Sequence, residues 1–285
     1  MNGVFRHPLR VGTRLAWLAG EITWIALNYI PRVALRSDCS RMQAKARWLH
    51  WGCRRVVKIF HLEFHTDDRV PFQGLLVSNH LSYLDVLVFS ALTPCVFVAK
   101  REVKNWPVFG LFARLAGTVF VDRCRRLQAG ASAHALEKVL ADGGLAVLFP
   151  EGTSSNGQQV LPFKSALLDP VVRHRHPISV SALQYALTIG DVQEEVCYWK
   201  NMTLFPHLLN LLSKQGLAVR VRFSQGQRQV LDRKVLARQL HDAVSKLNSS
   251  IRSRALGDAP PAETPELTSE VVAGGGIEPV HRLVT

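Results

Sequence analysis

A histidine and an aspartate lie five residues apart between two apolar runs of the sequence. The first run ends at residues 75–77, His80 and Asp85 follow it, and the second run occupies residues 86–89. This context predicts a strand, a turn and a helix that carries its polar groups in its first turn. Ser82 and Asp85 fit the S/T-x-x-D/E capping pattern, which predicts that the helix begins at Ser82.

On one continuous helix, residues five apart would lie roughly 140° apart, so His80 and Asp85 can meet only if the chain bends between them. The predicted cap provides that bend. An imidazole held by a carboxylate is the arrangement of a general base. Since no serine or cysteine nucleophile is evident beside the pair, the base would act directly on a substrate hydroxyl. The alternative, a polar cluster that only caps the helix, stays open on this pair alone.

Two further motifs lie where predicted strands end. Residues 117–123 form a strand that ends in Asp122 and Arg123, and a guanidinium there can hold a phosphate in bidentate fashion. An ordinary surface pair between these two residues is the alternative. Residues 149–155 (FPEGTSS) run from a buried strand into a tight turn that exposes backbone N–H groups and the carboxylate of Glu151. A plain turn with a capping glutamate would also fit.

Together the three motifs resemble the ordered signatures of the glycerolipid acyltransferases, the family of 1-acyl-glycerol-3-phosphate acyltransferase. The family patterns are Asn-His-x-x-x-x-Asp, G-x-x-F-x-x-R and F-P-E-G-T-x-S, and here they begin at Asn79, Gly117 and Phe149. The resemblance implies an α/β fold with a mostly parallel sheet flanked by helices, as in glycerol-phosphate acyltransferases. It covers about residues 75–223.

We hypothesise roles for individual residues from their chemistry and from their places at the predicted strand ends. His80 would take the proton from a lyso-lipid hydroxyl, Asp85 would hold the imidazole, and Lys100 would stabilise the oxyanion, with backbone amides near Gly152 as alternatives for that last role. A solvated lysine at a strand end is the other interpretation of Lys100. The residues expected to bind the acceptor are Asn79, Arg123, Glu151, Gly152, Thr153 and Ser154.

One position departs from the family pattern and bears on the choice of acceptor. Many glycerol-phosphate members carry Arg where this chain has Ser154. The expected acceptor is 1-acyl-glycerol-3-phosphate, giving phosphatidate. The loss of one phosphate contact keeps a lyso-ornithine lipid or another lysophospholipid open as the alternative. Acyl-CoA or acyl-carrier protein would be the co-substrate, and neither a metal nor a bound organic cofactor is implied.

Charge and composition favour a lipid partner over nucleic acid. The chain has 285 residues, a formal net charge of +13 and five cysteines. Residues 1–60 contain eleven Lys and Arg against two acidic residues, and these cations flank an apolar segment that contains tryptophan. This arrangement favours an anionic membrane surface, with a solvated basic surface as the alternative. The cysteines lack C-x-x-C spacing, which argues for a reducing compartment and against a disulfide framework or a zinc site.

The N-terminal part predicts two helices. Residues 15–30 are apolar apart from three polar residues, one of them Glu21, and are too short for a spanning helix. We expect this segment to lie in the membrane interface with Trp17 and Trp24 at headgroup depth. Residues 41–60 form a second, basic helix. The two would make a membrane-associated hairpin on the cytoplasmic face of the plasma membrane, unless both simply pack on the domain core.

Beyond residue 61 the apolar runs alternate with helical segments, which is typical of an α/β domain. Predicted strands occupy residues 75–77, 96–99, 118–121, 145–149, 178–183 and 219–223. Predicted helices occupy residues 82–92, 106–115, 126–141, 204–213 and 232–251. The expected organisation is therefore a membrane-associated segment (1–60), one domain (61–254) and a disordered tail (255–285), since the tail is rich in Pro and Gly and has no periodicity.

Overall fold

The structure, a computed structural model, describes residues 7–121, 126–168, 172, 176–226, 230 and 232–257. These residues form one seven-stranded sheet in the order β1-β7-β6-β2-β5-β3-β4. Its strands are β1 (Leu62–His65), β2 (Gly74–Ser78), β3 (Val96–Lys100), β4 (Val119–Val121), β5 (Leu145–Leu148), β6 (Ile178–Leu187) and β7 (Leu217–Ser224). Only the β6–β7 pair is antiparallel among these strands. The mostly parallel sheet that the alternation predicts is therefore confirmed.

Helices cover both faces of the sheet. Those in the described part of the chain are α1 (Pro8–Leu27), α2 (Asp38–Ile59), α3 (Leu84–Leu92), α4 (Phe109–Leu115), α5 (Arg126–Ala141), α6 (Val192–Glu195), α7 (Leu204–Ser213) and α8 (Arg233–Gly257). A π-helical turn (Ile30–Ala34) joins α1 to α2, and short 3₁₀ turns occupy Arg101–Asn105 and Ser165–Leu167. The prediction lacks β1 and the single-turn helix α6, and the tail beyond residue 257 lies outside the described residues.

Side-chain alternation along the central strands divides the core into two layers. On β2, Leu75 and Val77 pack with α5 and α8 on one face, whereas Leu76 packs with the N-terminal helices and α3 on the other. All three are fully buried. A strand that is buried on both faces reads as a continuous apolar run, which explains why residues 75–77 show no polar alternation.

The N-terminal helices share the core of the sheet. Buried residues of α1 recur at three- and four-residue steps: Val11, Arg14, Leu18, Glu21 and Ile25. Trp48 of α2 is also buried, and its indole N–H donates to the carbonyl of Ile25 at 3.0 Å. One face of each helix thus packs on the domain. This packing agrees with the alternative in which the two helices pack on the domain core. Their location at a membrane stays a prediction.

Two charged residues inside the apolar helix α1 have specific partners. The carboxylate of Glu21 accepts hydrogen bonds from Arg55 of α2 at 2.6 and 2.9 Å. The guanidinium of Arg14 donates to the carbonyl of Leu212 in the last turn of α7 at 3.1 Å. These contacts connect α1 to α2 and to α7. No helix in the described part of the chain combines the length and apolar character needed to cross a membrane.

Candidate active site

His80 and Asp85 are in direct contact just beyond the carboxyl end of β2. The Nδ1 atom of His80 lies 2.7 Å from Oδ2 of Asp85. The Asp85 side chain is fully buried, whereas the His80 side chain keeps 21% of its surface exposed. A buried carboxylate accepts the Nδ1 proton, which leaves Nε2 as the acceptor nitrogen. Among the described residues no group hydrogen-bonds to Nε2, so the ring has the polarity of a general base.

The turn between the two residues differs from the predicted cap. Helix α3 begins at Leu84 rather than at Ser82, and its N-cap residue, Tyr83, makes no capping bond with its side chain. The Ser82 hydroxyl is buried and has no hydrogen-bond partner among the described residues. Instead, Oδ2 of Asp85 accepts the amides of Leu81 at 2.7 Å and Ser82 at 3.1 Å. The prediction of a Ser82 cap is wrong, because the carboxylate itself satisfies the amides that precede the helix.

A tyrosine from a distant strand completes the environment of Asp85. The hydroxyl of Tyr185 on β6 donates to Oδ1 at 2.7 Å. Burial, and then the nearby charge of Asp85, raise the pKa of this phenol well above its usual value, so it stays a donor. Nothing in the local sequence indicates this contact, because the two residues are 100 positions apart.

Glu151 lies after β5, the strand next to β2, and it holds backbone groups. Its Oε1 accepts the amide of His80 at 2.9 Å and its Oε2 accepts the amide of Leu161 at 3.2 Å. The residue is only 2% exposed. Burial raises the pKa of this carboxyl to about 8, the two amides oppose that rise, and the charge of Asp85 adds to it. The structure therefore corrects the prediction that Glu151 contacts the acceptor, since it orients the backbone of His80.

Other groups of the same turn also contact His80. The Ser155 amide donates to the carbonyl of His80 at 2.9 Å, so both polar backbone groups of the histidine are held. The ring of Phe149 stacks on the imidazole at 4.3 Å between centroids and 15° between planes. Gly152 has a φ of 67° and donates its amide to the Phe149 carbonyl at 3.0 Å. That left-handed conformation favours glycine, and this bond occupies the Gly152 amide that was an alternative oxyanion donor.

Two predicted acceptor-binding residues, Asn79 and Ser154, make hydrogen bonds within the protein. Asn79 is 2% exposed, and its side-chain amide exchanges two hydrogen bonds with the backbone of Leu183 on β6, at 2.9 and 3.0 Å. The hydroxyl of Ser154 donates to the carbonyl of Tyr198. The contacts of Asn79 correct its assignment, because its side chain is buried and its polar atoms are used within the fold. The half-buried Ser154 stays a predicted contact of the acceptor. Thr153 is exposed, and the prediction that it contacts the acceptor is unchanged.

The predicted roles of Arg123 and Lys100 stay predictions. Arg123 lies outside the described residues, as does Asp122. Lys100 is exposed at the carboxyl end of β3, where its Cα is in register with Val121. Because β5 separates β3 from β2 and neighbouring strands are about 4.8 Å apart, Lys100 starts roughly 10 Å from the end of β2. Its role at an oxyanion remains a prediction.

Comparisons with known proteins match this arrangement to a family. A family model described as Acyltransferase matches residues 61–184, which contain His80, Asp85 and Glu151. The lyso-ornithine lipid O-acyltransferase of Rhizobium meliloti (strain 1021) is 33% identical over 250 residues, which cover 79% of this chain and 85% of the relative. The chain belongs to the acyltransferase family. The expected family is thereby confirmed, and the protein is an enzyme that transfers acyl groups.

Two further relatives extend the comparison of this acyltransferase. The 1-acyl-sn-glycerol-3-phosphate acyltransferase of Neisseria meningitidis serogroup B is 33% identical over 162 residues, covering 54% of this chain and 60% of the relative. The crystal structure of the 1-acyl-sn-glycerophosphate (LPA) acyltransferase, PlsC, from Thermotoga maritima matches with a TM-score of 0.63. That match spans 88% of this chain and 98% of the other at 16% identity, and it therefore concerns the fold.

Proposed function

We propose that this acyltransferase moves a fatty acyl group from a thioester donor to the free hydroxyl of a lyso-ornithine lipid. The observation that carries the proposal is the imidazole of His80, bound through Nδ1 to a buried carboxylate and with Nε2 left available. No serine or cysteine in the described residues hydrogen-bonds to that ring. Direct attack by the acceptor hydroxyl therefore suits the site better than a covalent acyl-enzyme.

The proposed reaction is a single acyl transfer. Nε2 of His80 accepts the proton of the acceptor hydroxyl while its oxygen attacks the carbonyl carbon of the thioester. Asp85 keeps the imidazole in the tautomer with the proton on Nδ1 and stabilises the imidazolium. When the tetrahedral intermediate collapses, the carbon–sulfur bond breaks and the thiolate takes the proton from the imidazolium. The products are the acylated lipid and a free thiol, with acyl-CoA or acyl-carrier protein as the donor.

The choice of acceptor rests on Ser154 and on the relatives. A relative with 85% of its length matched is named a lyso-ornithine lipid O-acyltransferase. At Ser154, where many glycerol-phosphate members carry Arg, the hydroxyl donates to Tyr198 and brings no positive charge to the turn. A zwitterionic ornithine headgroup needs fewer cations than a phosphate dianion does. This departure favours the ornithine lipid.

Transfer to 1-acyl-glycerol-3-phosphate is the second candidate. The relative from Neisseria meningitidis carries that name, although it matches over a shorter length. The guanidinium of Arg123 would suit this acceptor, because planar guanidinium groups bind phosphate through two parallel hydrogen bonds.

One acceptor panel separates the two candidates. Purified enzyme would be given labelled acyl-CoA, and in parallel acyl-carrier protein, with lyso-ornithine lipid, 1-acyl-glycerol-3-phosphate, another lysophospholipid or no acceptor. We expect kcat/KM to be highest with lyso-ornithine lipid. A higher value with 1-acyl-glycerol-3-phosphate would favour the second candidate, and release of free fatty acid at the same rate without any acceptor would contradict acyl transfer to a lipid hydroxyl.

An anionic membrane surface is the proposed site of action, at the cytoplasmic face of the plasma membrane. Trp17 and Trp24 of α1 are 44% and 50% exposed, at the flank of the face that packs on the domain. Tryptophan and arginine together are typical of a helix in the membrane interface. Arg32 follows α1 and lies over the ring of Trp51, with 4.1 Å from its Cζ to the ring centroid. This surface supports access to an acceptor that itself resides in the bilayer.

A further inference from the structure

The carboxylate of Asp85 has two oxygens with unequal surroundings. Oδ2 accepts three hydrogen bonds, from Nδ1 of His80 and from the amides of Leu81 and Ser82. Oδ1 accepts one, from the hydroxyl of Tyr185 at 2.7 Å. Because the Asp85 side chain is fully buried, water does not replace a missing donor there. Without the phenol, Oδ1 would be a buried charged oxygen without a partner, which is a costly arrangement.

Strand β6 brings Tyr185 to this place because it extends beyond its neighbour. Strand β2 ends in register with Ser181 of β6, and β6 continues to Leu187. The residues past that point therefore stand beside the loop that carries His80. Leu183 is fixed there by the side chain of Asn79, and Tyr185, two residues further on and on the same side of the strand, reaches Asp85.

We propose that Tyr185 is a positioning residue of the active site, whose hydroxyl fixes the carboxylate of Asp85 and withdraws negative charge from it. The carboxylate is then held in plane with the Nδ1–H bond of His80, and the imidazole keeps the orientation that acyl transfer needs. Tyr185 acts through Asp85 and does not contact the acceptor. This inference rests on the proposed function, in which His80 is the general base.

Replacement of Tyr185 by Phe removes the hydroxyl and keeps the ring. We expect kcat for acyl transfer to fall about tenfold, which is the scale of one lost buried hydrogen bond to a charged group, while KM for the acceptor stays within about twofold. We also expect the acidic limb of the kcat/KM profile to move up by roughly half a pH unit. Without the hydrogen bond from Tyr185, the oxygens of Asp85 carry more negative charge. Asp85 therefore stabilises the protonated imidazole of His80 more strongly.

Tyr83→Phe is the matched control. Tyr83 is also a buried tyrosine, and its hydroxyl lies 3.0 Å from Nδ1 of His207 rather than at Asp85. Besides Tyr185, the structure shows three titratable residues that interact with Asp85: His80, Glu151 and Cys197. All three are unchanged in both variants. A shift that is specific to Tyr185→Phe therefore reports the lost bond to Asp85.

A second replacement covers the case in which Tyr185→Phe does not fold. Incorporation of 3,5-difluorotyrosine at position 185 keeps the hydroxyl and makes it a stronger donor, so the acidic limb should move to lower pH. An unchanged limb in either variant, or the same shift in Tyr83→Phe, would overturn the inference. His80→Ala is assayed in the same series. If His80→Ala retains activity, the assignment of His80 as the general base is wrong. If His80→Ala is inactive and Tyr185→Phe is unaffected, only the proposed role of Tyr185 is refuted.

Discussion

Two buried carboxyl groups hold His80 by different means. Asp85 binds the imidazole nitrogen Nδ1 and thereby sets the tautomer of the ring. Glu151 binds the backbone amide of the same residue and thereby sets the path of the loop. The ring and the backbone of the histidine are thus fixed independently, and such fixation is what a general base requires for repeated proton transfer.

The buried state of Glu151 predicts a pH dependence of stability. Its pKa rises from an ordinary value of 4.5 to about 8 in the folded protein, mainly because of burial. Between these two values the folded protein holds a proton that the unfolded chain releases, so the contribution of Glu151 to stability is present below about pH 4.5 and is lost as the pH rises through 8. In Glu151→Gln the group no longer titrates.

Urea unfolding of both proteins from pH 5 to pH 8.5 tests this prediction. We expect the free energy of unfolding of the unmodified protein, relative to Glu151→Gln, to decrease as the pH rises. Parallel curves would contradict it. The variant should also lose roughly ten- to a hundredfold in activity, since the amide of glutamine offers one acceptor where two backbone N–H groups need one each.

The hydrogen bonds between Asn79 and Leu183 predict that replacing Asn79 lowers the stability of the protein rather than its affinity for the acceptor. In Asn79→Ala the amide and the carbonyl of Leu183 both lose a buried partner, which should lower the free energy of unfolding by about 2 kcal/mol. Asn201→Ala removes an exposed asparagine and should leave the stability unchanged. Urea unfolding measures both. A rise in KM for the acceptor with no loss of stability would restore Asn79 as an acceptor ligand.

At the scale of elements, the sequence predicts the strands and helices that carry the site. Six of the seven strands and the five longer helices from residue 82 onward lie where apolar runs and helical periodicity place them. β1 is missing from the prediction because its four residues are only partly buried and it has no long apolar run. The ends of β2 and β5 follow from their apolar runs, so His80 and Glu151 could be assigned to one edge of the sheet.

The partners of the site residues could not be predicted in the same way. Leu183 and Tyr185 are 104 and 100 residues away from Asn79 and Asp85, and their contacts depend on the pairing of β6 with β2 and on the extra length of β6. Nor does the capping pattern at Ser82 indicate that the aspartate, rather than the serine, would satisfy the amides. The order of the strands in the sheet determines which distant side chains meet. Local patterns in a single sequence do not predict that order.

The exposed face of α1 predicts a contribution to membrane binding. Replacement of Trp17 and Trp24 by Ala removes two large, exposed aromatic side chains and should weaken binding to vesicles that contain anionic lipid about tenfold. Phe72→Ala is the control, because Phe72 is 63% exposed in the loop after β1. Vesicle flotation compares the variants at constant salt. Equal binding of all three proteins would contradict a membrane role for α1.

At the scale of the whole molecule, the N-terminal helices and the sheet form one body around a shared core. Leu18, Trp48 and Phe60 belong to the same buried cluster as Leu76 and Val147 of the central strands. The bonds from Arg14 to α7 and from Arg55 to Glu21 add polar connections to that core. Helix α1, which would face the membrane, and the strands that carry His80 share one buried core. The geometry of the active site should therefore not depend on a hinge between α1 and the sheet.

The most direct test of His80 as the general base is the rate at which His80→Ala transfers acyl groups to lyso-ornithine lipid. The assay uses detergent micelles, in which membrane binding does not limit the reaction. His134→Ala serves as the control, since His134 is exposed on α5. We expect His80→Ala to lose at least about a thousandfold in kcat while it remains folded, and His134→Ala to retain full activity. Transfer by folded His80→Ala at the rate of the unmodified enzyme would contradict the assignment of His80 as the base.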